Sequence, residues 1–288
     1  PIATLLIWQQ PHIIYMLELL YKYPAANKIK GTKNWENTRK EFLERYYVLI
    51  KETADYMADL VVYNKTTKRF DLVPPLIPAQ EAHDPKLTLN PVFEVEYWRF
   101  GLLLAAEWAK RLGREEERKK WHNIAENMAK LPVKDGLYIA HENCPDTYER
   151  YNVDHPIMAA VLGLIPGDRV DKEIMKNTLD KIIRCWDFTT TWGWDFALLA
   201  MTAVRLGYPD LAIELLLMDT PNNNYAGNGH NVQVKRKDLP VYLPGNGSLL
   251  LAVAMMTAGF PGCTDRLPGF PKDGSWNVEY ENIYPFPY

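Results

Sequence analysis

Phe70-Asp-Leu-Val-Pro74-Pro75-Leu-Ile-Pro78-Ala-Gln80-Glu81-Ala-His83-Asp84-Pro85 runs on through Asn90-Pro91-Val-Phe93-Glu94-Val-Glu96-Tyr97-Trp98-Arg99 into an apolar stretch closed by Gly113. Five prolines between residues 74 and 91 restrict the backbone, and loops longer than ~12–15 residues inside compact domains are usually functional. Asn90 with Pro91 behind it reads as a helix cap and first helical residue. Residues 92–112 are apolar nearly all round, which predicts an inner helix, and Gly113 suits the residue just past its end. A stiff polar loop feeding a buried helix is the unit from which the rest of the chain is read.

The same grammar recurs on both sides. Helices are predicted from about Pro11 to Tyr23, stopped by Pro24, and from Trp35 to about Val62, with a polar loop at 24–34. Residues 115–130 form a charged partner helix with Trp121, Ile124, Ala125 and Met128 on its buried face. Shorter helices follow from Pro156 to Gly163, from Asp171 to about Cys185, after Trp194 to Gly207, from Pro209 to about Met218, and over 248–258. Ala109-Lys-Arg-Leu-Gly113 and Ala203-Val-Arg-Leu-Gly207 each close an apolar helix that a more polar one follows, as in stacked helical hairpins. No convincing strand ladder is read. The fold class predicted is all-α, with the long loops 74–91, 132–155, 187–194 and 219–247 available to build a site.

Composition narrows the function. The chain of 288 residues is 47% hydrophobic and 24% charged with a net charge of −3, so neither nucleic acid nor membrane insertion is expected. Cys144, Cys185 and Cys263 lie far apart and form no CxxC pair. The histidines lack the spacing of HExxH, and no Walker, GxGxxG or GxSxG motif occurs, so no metal and no cofactor is expected. Residues 1–22 do not read as a signal peptide. Asn64-Lys-Thr66 and Asn246-Gly-Ser248 match the short glycosylation sequon. Nine Trp and 17 Tyr stand out. Most serve packing, and the remainder suit the walls of a sugar cleft, because these rings offer both a flat face and a polar tip.

The candidate chemistry is carboxylate chemistry. Inverting glycoside hydrolysis needs a protonated carboxyl near the leaving oxygen and a carboxylate about 6.5–9.5 Å away. Glu81 suits the acid, lying between apolar segments where desolvation favours a protonated carboxyl. Asp195, in Trp192-Gly-Trp194-Asp195, and Asp154, in Asp154-His155-Pro156, are the candidate bases, although an Asp at either place is equally read as a helix cap. Gln80, His83 and Asp84 crowd the same loop as Glu81. Glu94 and Glu96 sit on the apolar helix, where a buried carboxylate is costly, so one of them is expected to face a cavity. Asn228-Gly-His230-Asn231-x-Gln233 offers donors and acceptors without charge, as a hydroxyl-binding site or an ordinary surface turn would.

Taken together, Pro78-Ala-Gln-Glu81, Asn90-Pro-Val-Phe-Glu94, Trp192-Gly-Trp-Asp195, Asn228-Gly-His-Asn231 and Tyr242-Leu-Pro-Gly-Asn-Gly247, in this order, resemble the (α/α)6-barrel or six-hairpin glycosidases. That group includes glycoside hydrolase families 65 and 95. The resemblance runs from Trp8-Gln-Gln-Pro-His12 to Pro271-Lys-Asp-Gly-Ser-Trp276. It implies a single domain over 1–288 shaped as an (α/α)6 toroid, here lacking its first one or two helices and the usual N-terminal β-sandwich. It implies Glu81 as general acid, Gln10 and His12 facing substrate, and His155 opening a sugar-binding loop ahead of the Gly-Leu-x-Pro-Gly pattern at 163–167. The further substrate contacts expected are Gln80, His83, Asn90, Glu94 and Trp98 in the first half. Trp192, Trp194, Asn228, His230, Asn231 and Asn246 are those expected in the second.

One departure matters. Where fucosidase-like members carry a basic aspartate before the late Gly-Asn pair, this chain has Pro244, so the base must be Asp195 or Asp154 or the route must be phosphorolytic. The expectation is an inverting glycoside hydrolase acting on an oligo- or polysaccharide, in a secreted or periplasmic setting. Two alternatives stand beside it: a polysaccharide lyase using Tyr and His on the same toroid, and a catalytically silent carbohydrate-binding remnant. The partners expected are a carbohydrate and the missing N-terminal segment of the full-length protein.

Overall fold

A computed structural model of the chain describes residues 4–22, 35–234, 236 and 238–286. Pro24 and the loop expected at 24–34 lie outside the described residues. The fold is mostly helical. Among the described residues nine α-helices occur, joined by three two-stranded hairpins. Contacts divide the chain into two compact units.

Unit 1 comprises 1–79, 84–132 and 141–143. Its helices are α1 (His12–Lys22), α2 (Trp35–Leu60), α3 (Val92–Arg111) and α4 (Glu115–Glu126). A hairpin of β1 (Val62–Asn64) and β2 (Arg69–Asp71) pairs antiparallel from Val62 with Asp71 to Asn64 with Arg69. α3 packs on α1, α2 and α4, and its Val95, Trp98, Leu102, Ala105 and Trp108 are buried against Ile14, Ile50, Met57 and Trp121. The apolar reading of 92–112 holds because most of this helix is indeed buried. Gly101 allows the approach of α1, since a Cβ there would meet Pro11 Cβ at 2.8 Å. Gly113 adopts φ +67 just past the helix end, where its missing Cβ costs nothing.

Two expectations for this unit are corrected. Asn90 does not cap α3: Pro91 precedes the helix with no side-chain cap. Asn90 instead adopts φ 49 and fastens three segments. Its Oδ1 accepts from Leu72 N–H at 2.8 Å, and its Nδ2 donates to Asp71 Oδ1 and Glu142 Oε1. Glu94 and Glu96 were expected to share one cavity-facing carboxylate between them, yet both are buried. Glu94 takes the Ala79 N–H at 2.6 Å, and Glu96 pairs with Arg99 one turn on. The ion pair to Arg99 offsets part of the burial cost at Glu96, whereas at Glu94 burial outweighs the Ala79 N–H and pushes the carboxyl up.

Unit 2 comprises 80–83, 133–140 and 144–288. Asp135-Gly136 turns the hairpin of β3 (Val133–Lys134) and β4 (Leu137–Tyr138), with φ positive at both residues. A 3₁₀ turn at Ile157–Ala159 runs into the short α5 (Ala160–Gly163), followed by α6 (Lys172–Cys185), α7 (Asp195–Leu206) and α8 (Pro209–Leu216). The hairpin of β5 (Asn224–Tyr225) and β6 (Asn231–Val232) precedes α9 (Leu243–Ala258). α7 is the hub. It is buried from Asp195 to Val204 and packs on α5, α8 and α9.

Gly163 brings α5 onto α7, because a Cβ at that position would lie 2.5 Å from Thr202 Oγ1 and 2.8 Å from the Leu198 carbonyl. Arg205 at the far end of α7 donates to the carbonyls of Leu162, Ile165 and Pro166, fixing the same pair. α9 begins at Leu243 rather than 248, because Pro244 falls in its first turn, where a missing N–H costs nothing. Its apolar residues are not all inward: Leu250, Leu251 and Val253 are exposed.

Candidate active site

The segment 80–83 of unit 2 is clipped to the loop before α5. Gln80 is fully buried, and its Nε2 donates to the carbonyls of Tyr151 and Val153 at 2.5 and 2.8 Å. His83 stacks on Tyr151 with ring centroids 4.4 Å apart. These contacts bring the Glu81 N–H to 3.3 Å from Asp154 Oδ2. The Glu81 side chain itself is exposed, so the burial expected from its apolar flanks falls on Ala79 and Gln80 instead.

Asp154 adopts φ 61, a left-handed conformation that Asp tolerates better than most residues but still strains. Surrounding bonds hold it there. Its N–H donates to Thr190 Oγ1 at 3.0 Å, its carbonyl accepts from Trp186 Nε1 at 2.8 Å, and its Oδ1 accepts from Trp192 Nε1 at 2.9 Å. His155 Nε2 lies 3.6 Å from the same Oδ1. On the other edge of the imidazole, Nδ1 meets Asp195 at 2.9 and 3.0 Å. Asp195, the first residue of α7, also accepts the Trp192 N–H at 2.7 Å.

The result is a line of three side chains, Asp154, His155 and Asp195, running from surface to core. Their side-chain exposures, 22%, 13% and 0%, rank them in that order. Burial pulls the His155 imidazole down, but Asp195, Asp154 and Glu81 together outweigh it and hold the ring above its ordinary value. Burial pushes the Asp195 carboxyl up, opposed by His155 and the Trp192 N–H. Asp195 therefore cannot reach a water molecule or substrate. It positions His155, and the candidate base that does reach solvent is Asp154.

Aromatic rings frame the line. Trp194 lies 4.5 Å and Trp192 6.0 Å from the His155 ring, and Tyr242 sits 5.4 Å from Trp192. Burial first, then Asp195 and Asp154, push the Tyr242 hydroxyl well above its ordinary value. A cavity of about 230 Å³ opens beside Trp192, lined by Thr189, Thr190, Trp192, Asn222, Gln233 and Arg236.

Asn231, expected to touch substrate, is instead the internal knot of this region. It is fully buried. Its Nδ2 donates to the carbonyls of Asn222 and Asn224, its Oδ1 accepts from Gln233 Nε2, and its N–H donates to Asn246 Oδ1. Gly193 and Gly245 are small because Asn231 Oδ1 lies 2.0 and 2.5 Å from where their Cβ atoms would be. Asn246 is spent holding Asn231 and the Gly229 carbonyl. Asn228 and His230 form the turn between β5 and β6, with Asn228 exposed. Residues 228–230 are thus a turn at the surface, while Asn231 and Gln233 of the same motif are buried.

The remaining expected contacts belong to unit 1. His12 Nδ1 meets Tyr97 Oη at 2.7 Å, and burial lowers its imidazole. Gln10 is half-buried beside it in sequence. Asn90 is engaged as described above. Glu94 is fully buried, and desolvation, opposed by the Ala79 N–H and its own, pushes its carboxyl up to about 7. Trp98 is a core residue with no exposed surface and donates to the Met57 carbonyl. A substrate role for Trp98 is thereby corrected: its indole is consumed by packing.

Sequence reading missed Thr190, Asn222 and Arg236, and gave Tyr242, quoted within the 242–247 piece, no role at the site. Thr190 belongs to the polar-aromatic loop 187–194 already noted, whereas an isolated Asn222 in a long loop carries no spacing signal. No family model matches the chain and no curated protein matches its sequence, so the functional reading stands on this geometry.

Proposed function

We propose that the chain is an inverting glycoside hydrolase, with Asp154 as the base that activates water and Glu81 as the acid that protonates the leaving oxygen. The observation that supports this most is the Asp154 carboxylate. It is held by Trp192 Nε1 and the Glu81 N–H, backed by His155 and Asp195, and open to solvent on its remaining side. Asp154 takes the proton of the attacking water while Glu81 gives its own to the departing alcohol, so the pair ends with its protons exchanged and resets through solvent. Because Glu81 is exposed on its loop, the desolvation an acid role calls for has to come from the sugar lying over it.

On the same reading, the hairpins α3–α4 and α7–α8 are units of an (α/α)6 toroid, and the substrate is an oligo- or polysaccharide. A lyase reading would need a readily deprotonated tyrosine, and the environment of Tyr242 pushes the wrong way. The catalytically silent binder remains the second reading, favoured by the exposure of Glu81.

Leaving-group dependence separates the two. Glu81→Gln is expected to keep turnover on dinitrophenyl glycosides, which need no acid, and to lose about 10²-fold or more on alkyl glycosides and natural oligosaccharides. Asp154→Asn is expected to lose both. Equal turnover of all substrates by parent and variants, or none by any, would leave the hydrolase reading without support.

A further inference from the structure

We propose that the cavity beside Trp192 is a subsite for one neutral, polyhydroxylated ring, with Asn222 as the residue that reads a ligand hydroxyl. The proposal rests on the carbohydrate reading above and narrows its substrate class. Asn222 is 6% exposed. Asn222 lines the cavity; its Nδ2 donates to the Thr191 carbonyl, while its Oδ1 is buried with no hydrogen-bond partner among the described residues. Folded proteins rarely leave a buried acceptor unmade, and such an exception calls for a functional explanation. A carbonyl oxygen can only accept, so whatever completes it must bring a donor.

The rest of the lining decides what kind of donor. Among the described residues no carboxylate lines the cavity, which disfavours an ammonium. Arg236 stands with its guanidinium 5.5 Å from the Trp192 ring centre, but Asp238 holds it two-pronged at 2.7 and 2.9 Å. Its charge is thereby paired, so among the described residues that line the cavity an acidic sugar finds no uncompensated cation. The Thr190 hydroxyl is spent on the Asp187 carbonyl and the Asp154 N–H, and the Thr189 hydroxyl donates to Asp187 Oδ1. Trp192 supplies an apolar wall, and the volume of about 230 Å³ lies below the ~300 Å³ at which clefts for larger ligands begin. A single ring with hydroxyls at its rim matches all of this. The Trp192 indole that walls the cavity also donates to Asp154 Oδ1, so a ring seated here lies beside the carboxylate assigned as base.

The test is saturation-transfer NMR on the intact chain with methyl β-D-glucopyranoside, methyl β-D-galactopyranoside and methyl β-D-glucuronide at millimolar concentrations. A neutral glycoside is expected to bind and the glucuronide to bind at least several-fold more weakly. Asn222→Ala, with circular dichroism like the parent, is expected to weaken the neutral glycoside about fivefold or more. Asp238→Ala is an exposed change that unpairs Arg236, and it is expected to raise glucuronide binding relative to the parent. The proposal is overturned by tighter binding of the glucuronide than of every neutral glycoside, by no neutral glycoside binding at all, or by an Asn222→Ala variant that folds and binds unchanged. Should Asn222→Ala not fold, unchanged glucuronide binding in Asp238→Ala overturns it. Binding without any hydrolysis would remove the catalytic reading and keep the subsite, while hydrolysis indifferent to Asn222 would do the reverse.

Discussion

Glu94→Gln isolates the cost of one buried carboxyl. Glu94 is fully buried on α3, accepts the Ala79 N–H, and has its carboxyl pushed from 4.5 to about 7. A folded-state value raised above the unfolded one means that stability is fully present below about 4.5 and is lost as the pH climbs through 7. The complete shift is worth about 3 kcal/mol. Roughly 2 kcal/mol of that falls between pH 5.5 and 8.5. Glutamine keeps the acceptor for Ala79 and does not titrate. Any penalty from its extra N–H donors is the same at every pH, so the difference between variant and parent cancels all other groups. Urea denaturation at a series of pH values, read as midpoint times slope, is expected to show the variant gaining on the parent by about 2 kcal/mol across that window. A difference that stays flat to within about 0.5 kcal/mol, or that moves in favour of the parent, would refute the burial argument.

Three further outcomes follow from the same contacts. The His155 imidazole, held up by Asp195, Asp154 and Glu81 against its burial, is expected to titrate above 6.5 by NMR and to fall in Asp195→Asn. Its contribution to stability is present below 6.5 and lost as pH rises through the raised value. Glu18 is buried and takes Arg111 at 2.6 and 3.0 Å together with Trp108 Nε1 at 2.7 Å. Glu18→Ala strands these donors and is expected to cost about 3 kcal/mol by urea denaturation; a loss under about 1 kcal/mol would show the pair to be dispensable. Gly193→Ala drives a Cβ into Asn231 Oδ1, and is expected to weaken sugar binding beside Trp192 while costing about 1–3 kcal/mol in thermal denaturation.

Helices were largely legible because each carries its own periodicity and stop signal. The apolar run 92–112 matches α3, the charged run after Gly113 matches α4, and Gly207 ends α7 with φ +83. Local signals failed where a residue answers to distant partners. Asn90 looks like a cap but is drawn into a left-handed turn by Leu72, Asp71 and Glu142. Trp98 looks like a sugar platform but lies under Met57.

The site divides the same way. Glu81, Asp154, His155, Asp195 and the two tryptophans were all marked from the sequence, and unit 2 brings them together through the Gln80 clip and the Asp154 turn. Their ranking was not legible. Only the folded depth of each side chain distinguishes the buried Asp195 from the accessible Asp154. Asn222 could not be found without coordinates, because an unpartnered atom is a property of its neighbours.

The central claim is that Asp154 directs water onto an anomeric carbon opposite the group that Glu81 protonates. Anomer-resolved proton NMR during the first minutes of turnover, across aryl glycosides and natural oligosaccharides, tests it most directly. The prediction is a product of inverted configuration from the parent chain and at least about a hundredfold slower product formation from Asp154→Asn. Product of retained configuration, or an Asp154→Asn variant as fast as its parent, would contradict the account.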